Sequence, residues 1–455
     1  MQNIFDEVGS LDKRACTAFG LTEDLLMEHA ANGMALYIKE NFVQGSTLTI
    51  VCGCGNNGAD GLALARLLHL YCDVTLFLAR TPTTQMAKLQ YNRVKNLNIK
   101  ESKILIESNI LVDAIVGTGF KGELKPELTT LIEDMNNSSA FKIACDVPSG
   151  FVFKANITLT MGALKKSLFL DGVKDAIGEI KVLDLGLHRD LYETESNCKL
   201  LDIEDLELPY RDKKDSHKGS FGHLSIAHGE MRGASVMSAL CASRFGCGLV
   251  TLITPDASNP PHYSIMTSSQ LPKNTTALAC GMGLGNAFSE DDLALFFDNT
   301  LPLILDADIF HMPLILELLK RSFLVITPHP KEFVSLLKLT KLADINIEKL
   351  QSNRFTYVEL FTTKYKDVTL LLKGANVIIA QDTKVFVNPH GTSALAKGGS
   401  GDVLSGLIGS LLAQGHTALN ATIHASLAHT KLAKNYKGAD FSLTPDDLIE
   451  GIGNL

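Results

Sequence analysis

From about residue 47 onward, short apolar runs alternate with helix-length amphipathic segments. "TLTIVCG", "DVTLFLA", "NILVDAIVG" and "FKIACDVPSG" come first, and "HLSIAHG", "LVTLITP", "LILDAD", "FLVITPHP" and "TLLLKG" follow in the second half. Runs of this length without polar alternation predict strands buried on both faces, as in parallel sheets covered by helices. Both halves therefore read as α/β. The stretch "LTEDLLMEHAANGMALYIKENF" predicts a helix with Thr22 as N-cap and with Glu23 and Asp24 in the first turn, where the helix dipole favours negative charge. Between about Cys198 and Lys218 the pattern lapses into charge-dense sequence containing Pro209, which predicts a domain boundary. No internal repeat or low-complexity tract interrupts the pattern.

A chain of 455 residues exceeds what one hydrophobic core usually serves, so two domains are expected. The apolar fraction of 45 % and charged fraction of 20 % fit a chain that folds throughout. Net charge is −8 and no Lys/Arg-dense stripe occurs, so a nucleic-acid backbone has no electrostatic footing. The longest apolar stretch, "LPLILDADIFHMPLILELL", is interrupted by Asp306 and Asp308 and cannot span a bilayer. "MQNIFDEVGSLDKRAC" is acidic early and lacks the apolar core of a secretory signal, so a cytoplasmic location is expected. The nine cysteines are odd in number and scattered from Cys16 to Cys280, which reads as reduced core thiols rather than a disulfide framework or zinc site.

In "VCGCGNNGADG" the glycines at 53, 55 and 58 satisfy G-x-G-x-x-G after an apolar run, the strand-turn-helix fingerprint of dinucleotide binding. A redox cradle does not need the adjacent carboxamides Asn56 and Asn57, and Asp60 would set negative charge beside a pyrophosphate. The acidic ribose reader is also missing, because the next strand ends in Ala79 and Arg80. An NADP-type role for Arg80 stays open against a solvated strand-end arginine. Three more polar positions fall at strand ends or the loops after them: Asp113, Lys121, and Asp146 with Ser149. One such carboxylate is ordinarily a cap or turn residue. Two, with the NNGAD run on a third strand, point to one pocket at the carboxyl edge of a sheet. The Asn57 amide, the Asp113 carboxylate and the Ser149 hydroxyl are oxygen donors of the kind that suit a hard cation.

"GCGNNGADG", "VDAIVGTGFKG" and "DVPSG", preceded by "LMEHAANGM", resemble the YjeF N-terminal family of NAD(P)H-hydrate epimerases over about residues 8 to 200. The resemblance implies a Rossmann-like three-layer αβα domain within residues 1–205. It implies that Asn56, Asn57, Gly58, Ala59 and Asp60 contact the hydrated nucleotide. Gly117, Thr118, Gly119, Phe120, Lys121, Gly122, Glu123 and Asp146 would contact it too. Asn57, Asp113 and Ser149 would hold K+. Ala59 departs from the glycine usual there, and a long acidic insertion after "DVPSG" is cut to "FVFKA". The hydrate carries a hydroxyl beside the ring nitrogen, and its epimers interconvert once that carbon becomes planar. Asp113, Asp146 and Lys121 are the available proton carriers, which the residues alone do not rank.

In the second half, "NPHGTSALAKGGSGDVLSGLIGSLLAQG" runs from glycines 398, 399 and 401 into an apolar helix beginning near Asp402. Free backbone N–H groups and the helix dipole at such a start stabilise charge on a transferring phosphoryl group. Asp402 reads as a general base for a hydroxyl, with an N-cap as the plainer alternative. No Walker-type P-loop occurs. The run resembles the anion hole of the ribokinase-like superfamily. The blocks from "HKGSFGHLSIAHG" through "CGMGLG", "LDADIF", "TPHPKEF" and "LLKGANVIIA" narrow the resemblance to the NAD(P)H-hydrate dehydratases over residues 212–455.

That second resemblance implies a ribokinase-like α/β domain. Lys373, Gly374, Ala375, Asn376, Val377 and Gly401 would contact ADP or ATP with Mg2+. Ala234, Gly283 or Gly285, His329 and Asp402 would contact the hydrate. His329 has a plain reading as a turn residue between prolines, and Glu332 reads either as an organiser of Mg2+ and phosphates or as a surface glutamate. Lys331 and Lys397 stand where the family commonly has Gly and Thr. Together the resemblances imply a bifunctional repair enzyme, a homo-oligomer, that equilibrates the R and S epimers and dehydrates the S form to NADH or NADPH. A small-molecule kinase with a catalytically silent N-terminal interaction module is the competing expectation.

Overall fold

The computed structural model describes residues 1–120, 122–255, 261–288, 290–297 and 300–455. The chain forms two compact units, Asn3–Ser196 and Asn197–Leu455, the latter together with Met1–Gln2. No helix among the described residues is long and apolar enough to cross a membrane. None of the nine cysteines forms a disulfide with a described residue, and all but Cys16 and Cys54 are buried.

The first unit is built on a 7-stranded, all-parallel sheet. Its order is Lys100–Ser102, Asp73–Leu78, Thr47–Cys52, Ile110–Ala114, Phe141–Cys145, Ile157–Met161 and Glu179–Leu183. Successive side chains of a strand face opposite ways, and two separate cores follow from that parity. Ile50, Val112 and Ile143 join the helices Gly9–Phe19, Glu23–Asn41 and Asn56–Leu68 on one face. Val51, Leu111 and Ala144 meet Leu128, Ile132 and Met135 of the helix Pro126–Asn137 on the other. Thr22 caps Glu23–Asn41 by accepting the Leu25 N–H, as its sequence predicts. A short parallel pair, with Ile4 beside Leu164, lies outside this sheet.

The second unit orders its strands Met266–Ser268, Leu249–Ile253, His223–Ala227, Ala277–Cys280, Leu303–Leu305, Leu324–Ile326, Val368–Leu372, Val377–Gln381, Lys384–Asn388 and Cys198–Leu200. Val377–Gln381 is antiparallel to both neighbours, so the sheet is mixed at this side rather than wholly parallel. Helices Arg232–Arg244, Ser400–Ala413 and Ala418–Asn435 cover one face through residues such as Ala239, Leu407 and Ala425. Helices Pro330–Leu339 and Arg354–Lys364 bury Phe333, Leu336, Val358 and Phe361, with the two phenylalanine rings edge to face. The segment Cys198–Leu200, from the region that lacks periodicity, is a strand beside Lys384–Asn388.

Each sheet reverses its winding once. The reversals lie between Thr47–Cys52 and Ile110–Ala114 in the first unit and between His223–Ala227 and Ala277–Cys280 in the second. Crevices outside the carboxyl ends of strands at such switch points are where open α/β sheets bind ligands.

Candidate active sites

At the first switch point the chain leaves Cys52 into a turn and enters Asn56–Leu68. A Cβ on Gly53 would stand 1.8 Å from the Ile115 carbonyl oxygen, and one on Gly58 would stand 2.1 Å from that of Gly53. Only glycines let strand, turn and helix close this tightly. A Cβ on Gly55 would meet nothing within 4 Å.

Beside this turn lies a cavity of about 1440 Å3. Asn56, Asn57, Asp60, Gly117, Thr118, Gly119, Phe120, Gly122, Glu123 and Asp146 line it, which gathers most of the first unit's expected substrate contacts. Gly58 and Ala59 are buried in the helix behind, and Lys121 lies outside the described residues. Asp12, Glu23 and Cys54 line the wall as well. Gly150, Phe151 and Val152 form the rim where the shortened "FVFKA" segment begins.

Asp113 does not line the cavity. It is fully buried and accepts from the Ser149 backbone N–H at 2.7 Å, the Ser149 hydroxyl at 2.6 Å and the Ile115 N–H at 3.1 Å. Burial outweighs these donors and pushes its carboxyl up to about 6. Asn57 is 9 % exposed, and neither atom of its amide has a hydrogen-bond partner among the described residues. A Cβ on Gly117 would touch that amide at 3.5–3.6 Å, so the side chain lies against the loop after Ile110–Ala114. A buried carboxamide unpaired among the described residues, past a strand end neighbouring those that carry the Asp113 carboxylate and the Ser149 hydroxyl, supplies oxygen donors of the kind that suit a cation such as K+.

Asp60 is raised well above the usual carboxylate range, by burial first and then by the nearby charges of Asp146, Asp12 and Glu23. That shift disfavours the charged form and so weakens the objection that a negative charge stands beside a phosphate. Asp146 adopts a left-handed backbone conformation, φ +69°, uncommon for a residue with a side chain. Its Oδ1 accepts from Lys165 Nζ at 2.7 Å and from the Met161 N–H at 3.1 Å.

In the second unit, polar groups gather at the carboxyl ends of four neighbouring strands. Asp306 follows Leu303–Leu305 and is 2 % exposed. It accepts from Lys373 Nζ at 2.7 Å on one oxygen and from Ser405 Oγ at 2.9 Å on the other. Lys373 follows Val368–Leu372, and a Cβ on Gly401 would be 3.3 Å from its ammonium. The cation therefore sits at the first turn of Ser400–Ala413, where Asp402 also lies. The Asp402 carboxylate accepts no hydrogen bond from a described residue in the first turn, and so is not an N-cap there. Burial, then repulsion from Asp306, push it up to about 6, with Lys373 opposing.

His329 caps Pro330–Leu339. Its Nδ1 accepts from the Lys331 and Glu332 N–H groups, so its proton is on Nε2, 3.3 Å from Glu332 Oε1. Burial, then the Lys373 charge, lower the imidazole's proton affinity. Glu332 is 6 % exposed and not a surface residue; burial pushes it up to about 7. Gly283 and Gly285 of "GMGLG" are left-handed. A Cβ on Gly283 would press on Ala234 at 3.1 Å, while the Gly285 N–H donates to Asp308. Arg354, fully buried, donates to the Asn376 and Lys373 carbonyls, which fixes the turn Lys373–Val377.

Two family models match this chain: "YjeF-related protein N-terminus" over residues 23–167 and "NAD(P)H-hydrate dehydratase" over residues 224–454. It is 40 % identical to the bifunctional NAD(P)H-hydrate repair enzyme Nnr of Helicobacter pylori over 100 % of both chains. The enzyme of the same name from Coxiella burnetii is 30 % identical over 96 % of both. The chain belongs to the bifunctional NAD(P)H-hydrate repair enzymes. A solved ADP/ATP-dependent NAD(P)H-hydrate dehydratase from Bacillus subtilis, co-crystallised with ATP/Mg2+, shows 26 % identity. It covers 54 % of this chain and 92 % of that one, with a TM-score of 0.46.

Family membership favours the repair reading over the small-molecule kinase, and it sets the departures in context. Ala59 is helical and fully buried beside Met27 and Ala87, so its methyl group fills a core position without strain. Lys331 is solvated. Lys397 donates to the Phe441 carbonyl at 3.0 Å and ties the glycine loop to a following turn. Sequence reasoning missed Lys165 and Asp12 in the first unit. In the second it quoted Asp306 within a motif without giving it a role, and it missed Ser405. The one available signal for Lys165 was a lysine inside the apolar stretch "TMGALKKSLFL".

Proposed function

We propose that the first unit interconverts the R and S epimers of hydrated NADH and NADPH, and that the second dehydrates the S epimer with ADP or ATP. The observation that carries the reading is Asp402: a carboxylate with no hydrogen-bond partner among the described residues, beside Lys373 at a helix start, held near the proton affinity a general base needs. Asp402 takes the proton of the ring hydroxyl as that oxygen attacks the terminal phosphoryl group, whose bridging P–O bond breaks to release AMP from ADP or ADP from ATP. Backbone N–H groups around Gly401 and the Lys373 ammonium stabilise the charge that develops on phosphorus. The pair on the ring nitrogen then expels phosphate, and loss of a proton from the adjacent carbon restores the dihydronicotinamide.

Lys373, Gly374, Ala375, Asn376, Val377 and Gly401 hold the nucleotide in this reading, and Ala234, Gly283, Gly285 and His329 the hydrate. Mg2+ ordinarily binds through one or two carboxylates plus phosphates, and Glu332 is the carboxylate offered for that. In the first unit Asn57, Asp113 and Ser149 would hold K+, which would neutralise the buried carboxylate. Asp113 then serves the cation, and Asp146, which lines the cavity, takes part in proton transfer, with Lys121 a further proton carrier. The proposal includes a cytoplasmic homo-oligomer that binds neither nucleic acid nor membrane; the net charge of −8 supports the absence of nucleic acid.

The test uses the full chain, mixed hydrate epimers, and ADP or ATP with Mg2+. Free phosphate and the absorbance of reduced nicotinamide should rise together. Asp402→Asn should lose both while epimer exchange, followed by chromatography, persists. Unchanged turnover in Asp402→Asn, or a phosphorylated product without reduced nicotinamide, overturns the reading.

A further inference from the structure

Lys165 is among the largest fully buried side chains of the molecule and is 1 % exposed. A buried ammonium is costly unless it is paired and its protons are taken up. Here Nζ meets Asp146 Oδ1 and Thr160 Oγ1 at 2.7 Å each, the Met161 carbonyl at 3.0 Å and the Ala163 carbonyl at 3.3 Å. Thr160 Oγ1 also lies 3.3 Å from Asp146 Oδ1. Every hydrogen bond from a described residue to this carboxylate ends on Oδ1, whose own residue lines the cavity. Oδ2 is thus the oxygen left for chemistry. Asp60 and Asp12 share the cavity wall, and Asp12 accepts from the Tyr192 hydroxyl at 2.7 Å.

Resting on the epimerase reading of the first unit, we propose that Lys165 is a positioning residue for epimerisation. Its ammonium fixes Asp146 through Oδ1 and so aims Oδ2 as the proton acceptor of the cavity, with Asp60 as the paired donor. Asp146 Oδ2 takes the hydroxyl proton of the hydrate, and the O–H pair becomes the second bond of a carbonyl. The bond from that carbon to the ring nitrogen breaks with its pair going to nitrogen, which takes the Asp60 proton. Rotation presents the other carbonyl face, and the same transfers run backwards to close the ring. Nothing is consumed. Lys165 supplies the asymmetry between two neighbouring acids, since only one has a buried cation bonded to it. Asp60 is raised by burial and by the Asp146 charge itself, in keeping with that division.

The experiment compares wild type, Lys165→Met and Lys165→Arg as full chains, with epimer exchange followed between about pH 5 and 9, a window set by the carboxylate range. Lys165→Met should lower kcat by roughly a hundredfold or more, the scale of a lost general base, with KM little changed. It should move the acid limb of kcat upward by about 1 to 3 pH units, because an opposite charge has been removed from Asp146. Lys165→Arg, which keeps the charge, should restore the limb to its wild-type position. Dehydratase turnover of the same chains, started from the S epimer, reports that the protein is folded and should not change. A limb that stays in place in Lys165→Met, or that moves equally in Lys165→Arg, overturns the role given to Lys165. A wild-type chain without epimer exchange overturns the epimerase reading instead, so the two failures are distinct. Should Lys165→Met not fold, Thr160→Val, which removes one acceptor and keeps the charge, should slow exchange without moving the limb; a moved limb there overturns the proposal.

Discussion

Asp113 in the first unit and Asp402 in the second are both pushed up to about 6, and burial is the leading cause for each. Their surroundings differ. Asp113 is sealed from the cavity and receives three hydrogen bonds, two of them from backbone N–H groups. Asp402 receives none from a described residue and faces the charges of Asp306, Asp308 and Lys373. The same proton affinity thus accompanies a fully hydrogen-bonded carboxylate in one place and, in the proposed mechanism, the general base in the other. What separates them is whether donors would be stranded when the carboxylate is removed.

Replacement by alanine should break this likeness most strongly. Asp113→Ala strands the Ser149 hydroxyl and two N–H groups in a dry environment, at about 1–3 kcal/mol for each unsatisfied group. The first unit should lose on the order of 3 kcal/mol or more and its epimer exchange, while dehydratase turnover continues. Asp402→Ala strands nothing and removes a charge held near two other carboxylates, so its unfolding free energy should stay within about 0.5 kcal/mol of wild type or rise. Urea unfolding of both variants measures the difference. Equal losses would mean that donor count does not distinguish the two sites.

The glycine loops of the two sites invite a second, smaller contrast. Gly58→Ala drives a methyl group against the Gly53 carbonyl oxygen, 2.1 Å away, and overpacking of this kind costs about 1–3 kcal/mol. Gly398→Ala meets nothing within 4 Å and should change stability by less than about 0.5 kcal/mol. Thermal unfolding of the two variants, followed in the same full-length chain, checks the ranking. A glycine fingerprint in sequence does not tell these cases apart, since Gly53 and Gly58 close a turn while Gly398 borders open space.

That distinction shows which parts of the molecule are readable from residues alone. Strands such as Thr47–Cys52 and Val368–Leu372 are continuous apolar runs because both their faces are covered, and they stand out. Glu179–Leu183 and Lys384–Asn388 keep exposed or half-buried positions among their residues, so the same criterion passes over them. Motifs that put several groups on one turn, such as Asn56 to Asp60, are equally visible. Partnerships across the chain are not: Lys165 meets Asp146 over 19 residues, Lys373 meets Asp306 over 67, and Ser405 meets Asp306 over 99. Only the register of parallel strands and the placing of helix starts bring those groups together, and no local spacing encodes it.

The Asp306–Lys373 pair allows the finest test of the comparison, because it should tune Asp402 without touching Asp113. A base must be ionised to act, so with Asp402 held at about 6 dehydratase turnover should rise with pH through about 6 and level off above it. Asp306 raises that value and Lys373 lowers it. Asp306→Asn removes the raising charge and leaves the Lys373 cation uncompensated, so both changes drive the acid limb downward, on the order of 1 pH unit. Lys373→Met removes the lowering charge and should move the limb upward by a similar amount, whatever it does to nucleotide affinity. The readout is the pH dependence of kcat at saturating nucleotide, with epimer exchange in the same chains as the internal reference, unchanged in both variants. Shifts of the same sign in the two variants would mean that the limb belongs to another group, and Glu332, pushed up to about 7 beside the same pair, would then be the residue to replace next.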